Sequence, residues 1–139
     1  MASNEDFVAR FAHAWKKPGE RFVKLFRADG TLFQQGMERP ITRDEIPRHI
    51  EVTLTLMPDI AQRIKCSVVQ GDDCFIEWTG SGTVLGKQRI EWDGASVFTL
   101  RDGLILTEVA YFDTLPLRQI VDPTLARGDM FVETVARSG

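Results

Sequence analysis

The sequence predicts an α+β fold in one domain, and three observations carry that reading. The chain has 139 residues, a length that suits one compact domain at roughly 100–200 residues each. Up to Met57 the apolar residues recur at helical spacing. From Ile64 onward they fall into short alternating runs separated by turn residues. Helices first and an antiparallel sheet second is the order of a segregated α+β architecture.

Taken in order, Phe7, Phe11 and Trp15 recur every four residues with Val8 beside them, the stripe of an amphipathic helix from Asp6 to Trp15. Ser3 and Asp6 have the spacing of a capping box ahead of it, and Pro18-Gly19 breaks it. A second short helix is predicted with Phe22, Leu25 and Phe26 on one side, closed by Ala28-Asp29-Gly30, before a short β segment at Thr31–Gln34. Thr42 and Glu45 form a second capping-box pair ahead of Ile46, Ile50, Leu54 and Met57. They predict a third helix that runs to Met57 and tolerates Pro47 in its first turn. Strands are then predicted at Ile64–Val69, Cys74–Val84, Gln88–Leu100 and Leu104–Phe112, joined by tight turns.

Composition excludes several classes of function. Seventeen Lys and Arg stand against twenty Asp and Glu, a net charge of -3, with no basic block to lie along a phosphate backbone, so no nucleic-acid partner is expected. The opening MASNEDFVAR carries acids where a signal peptide needs positive charge, and no apolar run approaches the ~20 residues of a membrane span. The expectation is a cytoplasmic protein without a membrane partner. Two cysteines and two scattered histidines give no metal-ligand spacing, so neither a metal nor a cofactor is expected. Cys66 and Cys74 flank the turn at Gln70–Asp73 without facing each other; Cys74 pairs with Val69 across a two-residue loop or Gln70 across a three-residue loop. Two buried free thiols are expected. Nine Phe and three Trp against a single Tyr, Tyr111, mean that the aromatic residues mostly serve burial, as a solid core or as the wall of a pocket.

The loop of the last hairpin sets which residues share a face. A three-residue loop Arg101-Asp102-Gly103 pairs Leu100 with Leu104, and then Phe98 with Leu106, Ser96 with Glu108, Gly94 with Ala110 and Trp92 with Phe112. The other face carries Thr99, Val97, Ala95 and Asp93 against Ile105, Thr107, Val109 and Tyr111. A two-residue Asp-Gly loop instead sets Glu108 opposite Val97. Neither face has the polar character of a solvated sheet, so one is expected against the helices and the other against a second subunit.

The element order and the strings FRADGTLFQQG, ITRDEI, IEWTGSGT and VFTLRDGLILTEVAYFDTLPLRQIVDP resemble the SnoaL-like polyketide cyclase branch of the nuclear transport factor 2-like superfamily. The likeness spans about residues 5 to 123, leaving 124–139 as a tail of the single domain. It implies a cystatin-like α+β roll, a cone of curved antiparallel sheet wrapped around the N-terminal helices with an apolar pocket inside. Because that fold hosts many chemistries, function has to be read residue by residue. The family's catalytic aspartate, three residues before the strand-closing Asp113, falls on Ala110. The cyclases' histidine and the isomerases' protonated aspartate fall near Ser96. The isomerases' base falls near Gln34 and their tyrosine near Phe11, and the epoxide hydrolases' Arg-x-Asp pair near Trp78 and Gly80.

What remains for chemistry is Glu108, in an otherwise apolar series on the face that the family directs inward. A carboxylate there would be desolvated and its pKa raised toward a useful range. Ser96 could orient it and His49 could border the pocket mouth, while His13 is expected on the exposed side of its helix. Alternation puts one of Gln34 and Gln35 inside, with Gln35 the candidate. Trp15, Phe33, Met57, Trp78, Trp92, Phe98, Ala110 and Phe112 complete the expected wall. Two functions follow: a cofactor-independent isomerase, cyclase or dehydratase acting on a polyketide- or steroid-like compound, or a non-catalytic binding protein for an apolar small molecule. A homodimer through the face bearing Ala95, Val97, Val109 and Tyr111 is expected in either case.

Overall fold

The computed structural model describes residues 3–139. Three helices, α1 (Phe7–Trp15), α2 (Pro18–Arg21) and α3 (Ile46–Leu56), are followed or interrupted by six strands: β1 (Phe26–Gln34), β2 (Ile41–Thr42), β3 (Ala61–Gln70), β4 (Asp73–Val84), β5 (Gln88–Arg101) and β6 (Leu104–Phe112). Two further helices, α4 (Leu115–Val121) and α5 (Met130–Ser138), close the chain. The strands form one open, curved sheet in the order β2-β1-β6-β5-β4-β3. The fold is the expected α+β roll, with one correction. The sheet is mixed, because β1 runs parallel to β6 while every other neighbouring pair is antiparallel.

The parallel pair explains why the second predicted helix is misplaced. The helical turn ends at Leu25, Phe26 already opens β1, and Ala28-Asp29-Gly30 lies inside that strand at a register shift rather than closing a helix. A side chain at Gly30 would come within 2.7 Å of the Ile105 carbonyl, so glycine is needed there for backbone approach between β1 and β6. Pro18, read as a breaker, stands at the first position of α2, where its missing N–H costs nothing. The Ser3–Asp6 box does not form, since the α1 N-cap makes no side-chain bond. The Thr42–Glu45 box does form, with Pro47 in the first turn of α3.

The hairpins show how register is set. Gly71-Asp72 make a two-residue β3–β4 loop, so Cys74 faces Val69; Cys74 is buried but Cys66, expected to be buried, is exposed. At β5–β6 the loop is the two-residue Asp102-Gly103, both at positive φ (54° and 77°), rather than the favoured three-residue loop. A bulge between Thr99 and Leu100 then shifts the pairing by one more residue, which returns even-numbered residues to the inner face. Glu108 therefore pairs with Phe98, Ser96 with Ala110 and Gly94 with Phe112.

The inner face and the helices enclose a core led by Phe7, Phe11, Phe22, Phe26 and Phe98, all nearly inaccessible. The segment read as a tail carries α5, capped by the Asp129 carboxylate, which accepts from the backbone N–H of Phe131 and Val132. Arg127 pairs with Asp113 at 2.7 Å, and Asp113 also accepts from the Leu115 N–H at the start of α4. Among the described residues no helix is long and apolar enough to cross a membrane, and no His, Cys, Asp and Glu group could hold a metal.

Candidate functional site

Between α3 and the inner sheet face lies a cavity of about 260 Å³. Its largest wall elements come from the facing strands β4 and β5, where Trp78 stands opposite Gly94 and Trp92 opposite Gly80. A Cβ at either glycine would lie 2.5 Å from the facing indole. Each ring thus occupies the space a neighbouring side chain would take, and the apolar floor of the cavity is two indoles laid over two glycines. Gly82 does the same for Met57, whose sulfur would be 2.9 Å from an added Cβ.

Above this floor sits Glu108, 4% exposed, between Leu32 on β1 and Phe98 on β5. The neighbouring Ser96 hydroxyl donates to Glu108 Oε2 at 3.0 Å and accepts from the Trp78 indole N–H at 3.1 Å. The direct cross-strand pairing foreseen for Ser96 and Glu108 does not occur. They meet diagonally, two residues apart in register, and the serine still orients the carboxyl group. Burial raises the Glu108 pKa to about 8, against the smaller lowering effect of the Ser96 bond. The group is therefore neutral near pH 7.

With the Trp78 N–H donating to it, the Ser96 hydroxyl directs its own hydrogen to Oε2, which accepts and leaves Oε1 as the free oxygen of the carboxyl group. Oε1 is buried and makes no hydrogen bond within the protein. Such a group, held neutral and pre-aimed, can donate to a ligand or protonate it.

Of the residues singled out in the sequence, Trp15, His49, Met57, Trp78, Trp92, Ser96, Glu108, Ala110 and Phe112 border this cavity. Three expected residues do not. Phe33 points to the other sheet face, opposite Val109, because it alternates with inward Leu32 and Gln34. Phe98 is inward but packs edge-on against Phe7 and Phe11, at centroid distances of 4.9 and 5.5 Å, and fills the core instead. Gln35 lies beyond the end of β1 and is exposed, its Oε1 accepting from the Phe112 N–H; Gln34 takes the inward place. Gln62, which the sequence reading passed over, also borders the cavity. It is two residues before Ile64 on β3, so extending the alternation backward would have found it. His13 is exposed, and Glu77 is a surface group near Lys65 at 3.9 Å.

His49 is the other acid–base side chain on this wall among the described residues. Partial burial holds its imidazole below the ordinary histidine range, hence uncharged at neutral pH. Cys74, separated from Glu108 by Phe98 in the sheet register, has its thiol pushed up to about 11 by burial and by Glu108, so it stays protonated.

A curved α+β sheet closed by helices over an apolar cavity, with one buried carboxyl group inside, defines a pocket protein of the nuclear transport factor 2-like fold. Residues 5–108 match the SnoaL-like domain family, and the chain belongs to it. Solved structures agree on the fold. AclR of Streptomyces galilaeus, a candidate hydroxylase, superposes with a TM-score of 0.76 at 15% identity over 96% of this chain and 90% of that one. A phenazine biosynthesis-related protein of Pseudomonas aeruginosa gives 0.74 at 22% identity over 91% and 90%. A protein of ketosteroid isomerase-like fold from Catenulispora acidiphila, solved with trimethylamine, gives 0.74 at 21% over 82% and 90%. No curated protein matches this sequence.

Proposed function

We propose that the cavity is the active site of a cofactor-independent isomerase, cyclase or dehydratase that acts on a polyketide-like ring compound by proton transfer. The observation that carries this reading is the bare, buried Oε1 of Glu108 at the cavity wall, with its other oxygen held by Ser96. In the proposed step the Glu108 O–H bond breaks as a substrate carbonyl oxygen takes the proton. A neighbouring C–H gives its proton to the neutral imidazole of His49, leaving an enol, a carboxylate and an imidazolium. Return of the two protons, one to a different carbon, completes an isomerisation. Ser96 and Trp78 are positioning residues that hold Oε2 and leave Oε1 free.

Hydrogen–deuterium exchange into the carbon beside the ketone of 1-tetralone, followed by mass spectrometry in D₂O, tests this without knowing the natural substrate. The wild type is expected to accelerate exchange and Glu108→Gln to lose about 10²- to 10⁴-fold. Exchange should rise with pH as His49 loses its proton below 6.5 and fall as Glu108 loses its own near 8. An unchanged rate in Glu108→Gln refutes the acid role.

One observation favours a second reading. Ala110 stands where the resemblance places the catalytic aspartate, which suits a non-catalytic binding protein with the same pocket. Binding of 1-tetralone with no exchange in the wild type would support it. In both readings the outer sheet face, where Tyr111 is 56% exposed beside Ala95, Val97 and Val109, is proposed to join two copies. Sedimentation of the wild type as a dimer and of Val97→Glu as a monomer is expected; a monomeric wild type overturns it.

A further inference from the structure

Three buried polar atoms among the described residues lack a hydrogen-bond partner: Trp15 Nε1, Gln62 Oε1 and Glu108 Oε1. All three belong to residues that border the one cavity. Buried polar groups are normally satisfied, so their concentration at a single hollow is the imprint of a missing partner. The three are chemically distinct. Trp15 can only donate, Glu108 in its neutral form can donate from Oε1, and the Gln62 oxygen accepts.

The sheet sets them apart: Glu108 on β6 is level with Phe98, six residues along β5 from Trp92, and Trp92 is level with Gln62 on β3 through Gly80. A single ligand meets Glu108 and Gln62 at different ends. Volume sets its size: an apolar cavity of ~150 Å³ takes benzene, and about 260 Å³ leaves room for a second ring but not for four. Charge restricts the ligand further, because no Lys or Arg lines the cavity among the described residues. An anion would enter without a counter-charge and would lose its hydration uncompensated.

We infer that the cavity is shaped for a compact, uncharged two-ring compound with a ketone or similar acceptor near Trp15 and Glu108 and a hydroxyl or N–H at its far end for Gln62. This deepens the proposed function and rests on the same cavity being the working site.

Quenching of tryptophan fluorescence is the measurement, since all three tryptophans border the cavity. The probes are 6-hydroxy-1-tetralone, 1-tetralone, 1-naphthoate and the four-ring ketone androstenedione. The hydroxytetralone is expected to bind about three- to tenfold tighter than 1-tetralone, the worth of one hydrogen bond. Gln62→Leu should erase that preference and leave 1-tetralone unaffected, with Gln62→Met as the second variant if the first fails to fold. Trp15→Phe should weaken both tetralones by a similar factor, while naphthoate and androstenedione bind at least about tenfold more weakly than hydroxytetralone. Equal binding of naphthoate or androstenedione, or an intact preference in the Gln62 variants, overturns the assignment. Glu108→Gln keeps a donor and should still bind hydroxytetralone. Binding with these preferences but without deuterium exchange therefore sinks the catalytic reading alone, and exchange without them sinks the ligand assignment alone.

Discussion

The inner face of the sheet has two halves built from similar aromatic material, one solid and one hollow. In the solid half Phe98 meets Phe7 and Phe11 edge-to-face at 4.9 and 5.5 Å, Phe7 and Phe11 are tilted against each other at 6.2 Å, and Phe22 packs on Phe26 at 5.4 Å. In the hollow half Trp78 and Trp92 lie against glycines instead of against one another's neighbours. The difference teaches what each residue type contributes. Phenylalanine offers only surface and packs until no space is left. The indoles keep a polar N–H, and flattened over glycine they line space rather than fill it. Glu108 stands at the boundary, paired with Phe98 on the solid side and reached from Trp78 through Ser96 on the hollow side. It is the solid half that desolvates the carboxyl group and the hollow half that gives it something to act on.

The largest effect is expected from breaking the solid half. Phe98→Ala removes a ring that is 1% exposed and touches two others, and should cost about 3–5 kcal/mol in chemical denaturation. A loss under about 1 kcal/mol would mean that the two halves are not packed differently. Next comes the floor of the hollow half. Gly94→Ala drives a methyl group into Trp78 and should cost about 1–3 kcal/mol. It should also displace the indole from Ser96 and weaken tetralone binding, with near-ultraviolet circular dichroism reporting the tryptophan shift.

The most diagnostic effect is the pH dependence of stability. Folded Glu108 titrates near 8 against an ordinary 4.5, so between those values the native state holds a proton that the unfolded chain releases. Its stabilising contribution is whole below 4.5, declines as pH rises toward 8 and is flat above. His49 acts in the opposite sense and lower window, its contribution being lost as pH falls below 6.5. Because Gln does not titrate and His49 is common to both proteins, the stability difference between wild type and Glu108→Gln isolates the carboxyl group. That difference should shift in favour of Gln up to pH 8; a flat difference would place Glu108 in water.

Much of this arrangement was legible in the chain itself. Helical spacing located α1 and α3, and the Thr42–Glu45 box located the start of α3 to within a turn. The expected three-residue loop put Trp92, Ser96 and Glu108 on one face, and a two-residue loop with a bulge keeps them there. What escaped was whatever depends on more than one element at a time. Gly30 reads locally as a helix stop, yet it serves a strand because β6 passes within contact of its backbone. Phe98 and Trp92 carry the same inward signal, and only the position of α1 makes one a core residue and the other a wall.

The sequence by itself therefore determined the fold class and the element order, because these rest on periodicities of 3.6 and 2 that each segment carries alone. The tertiary structure decided the register, through a two-residue turn and a compensating bulge at Thr99–Leu100. It also decided which polar atoms are left bare. Both depend on what distant segments bring within hydrogen-bond reach, and no local pattern encodes that distance.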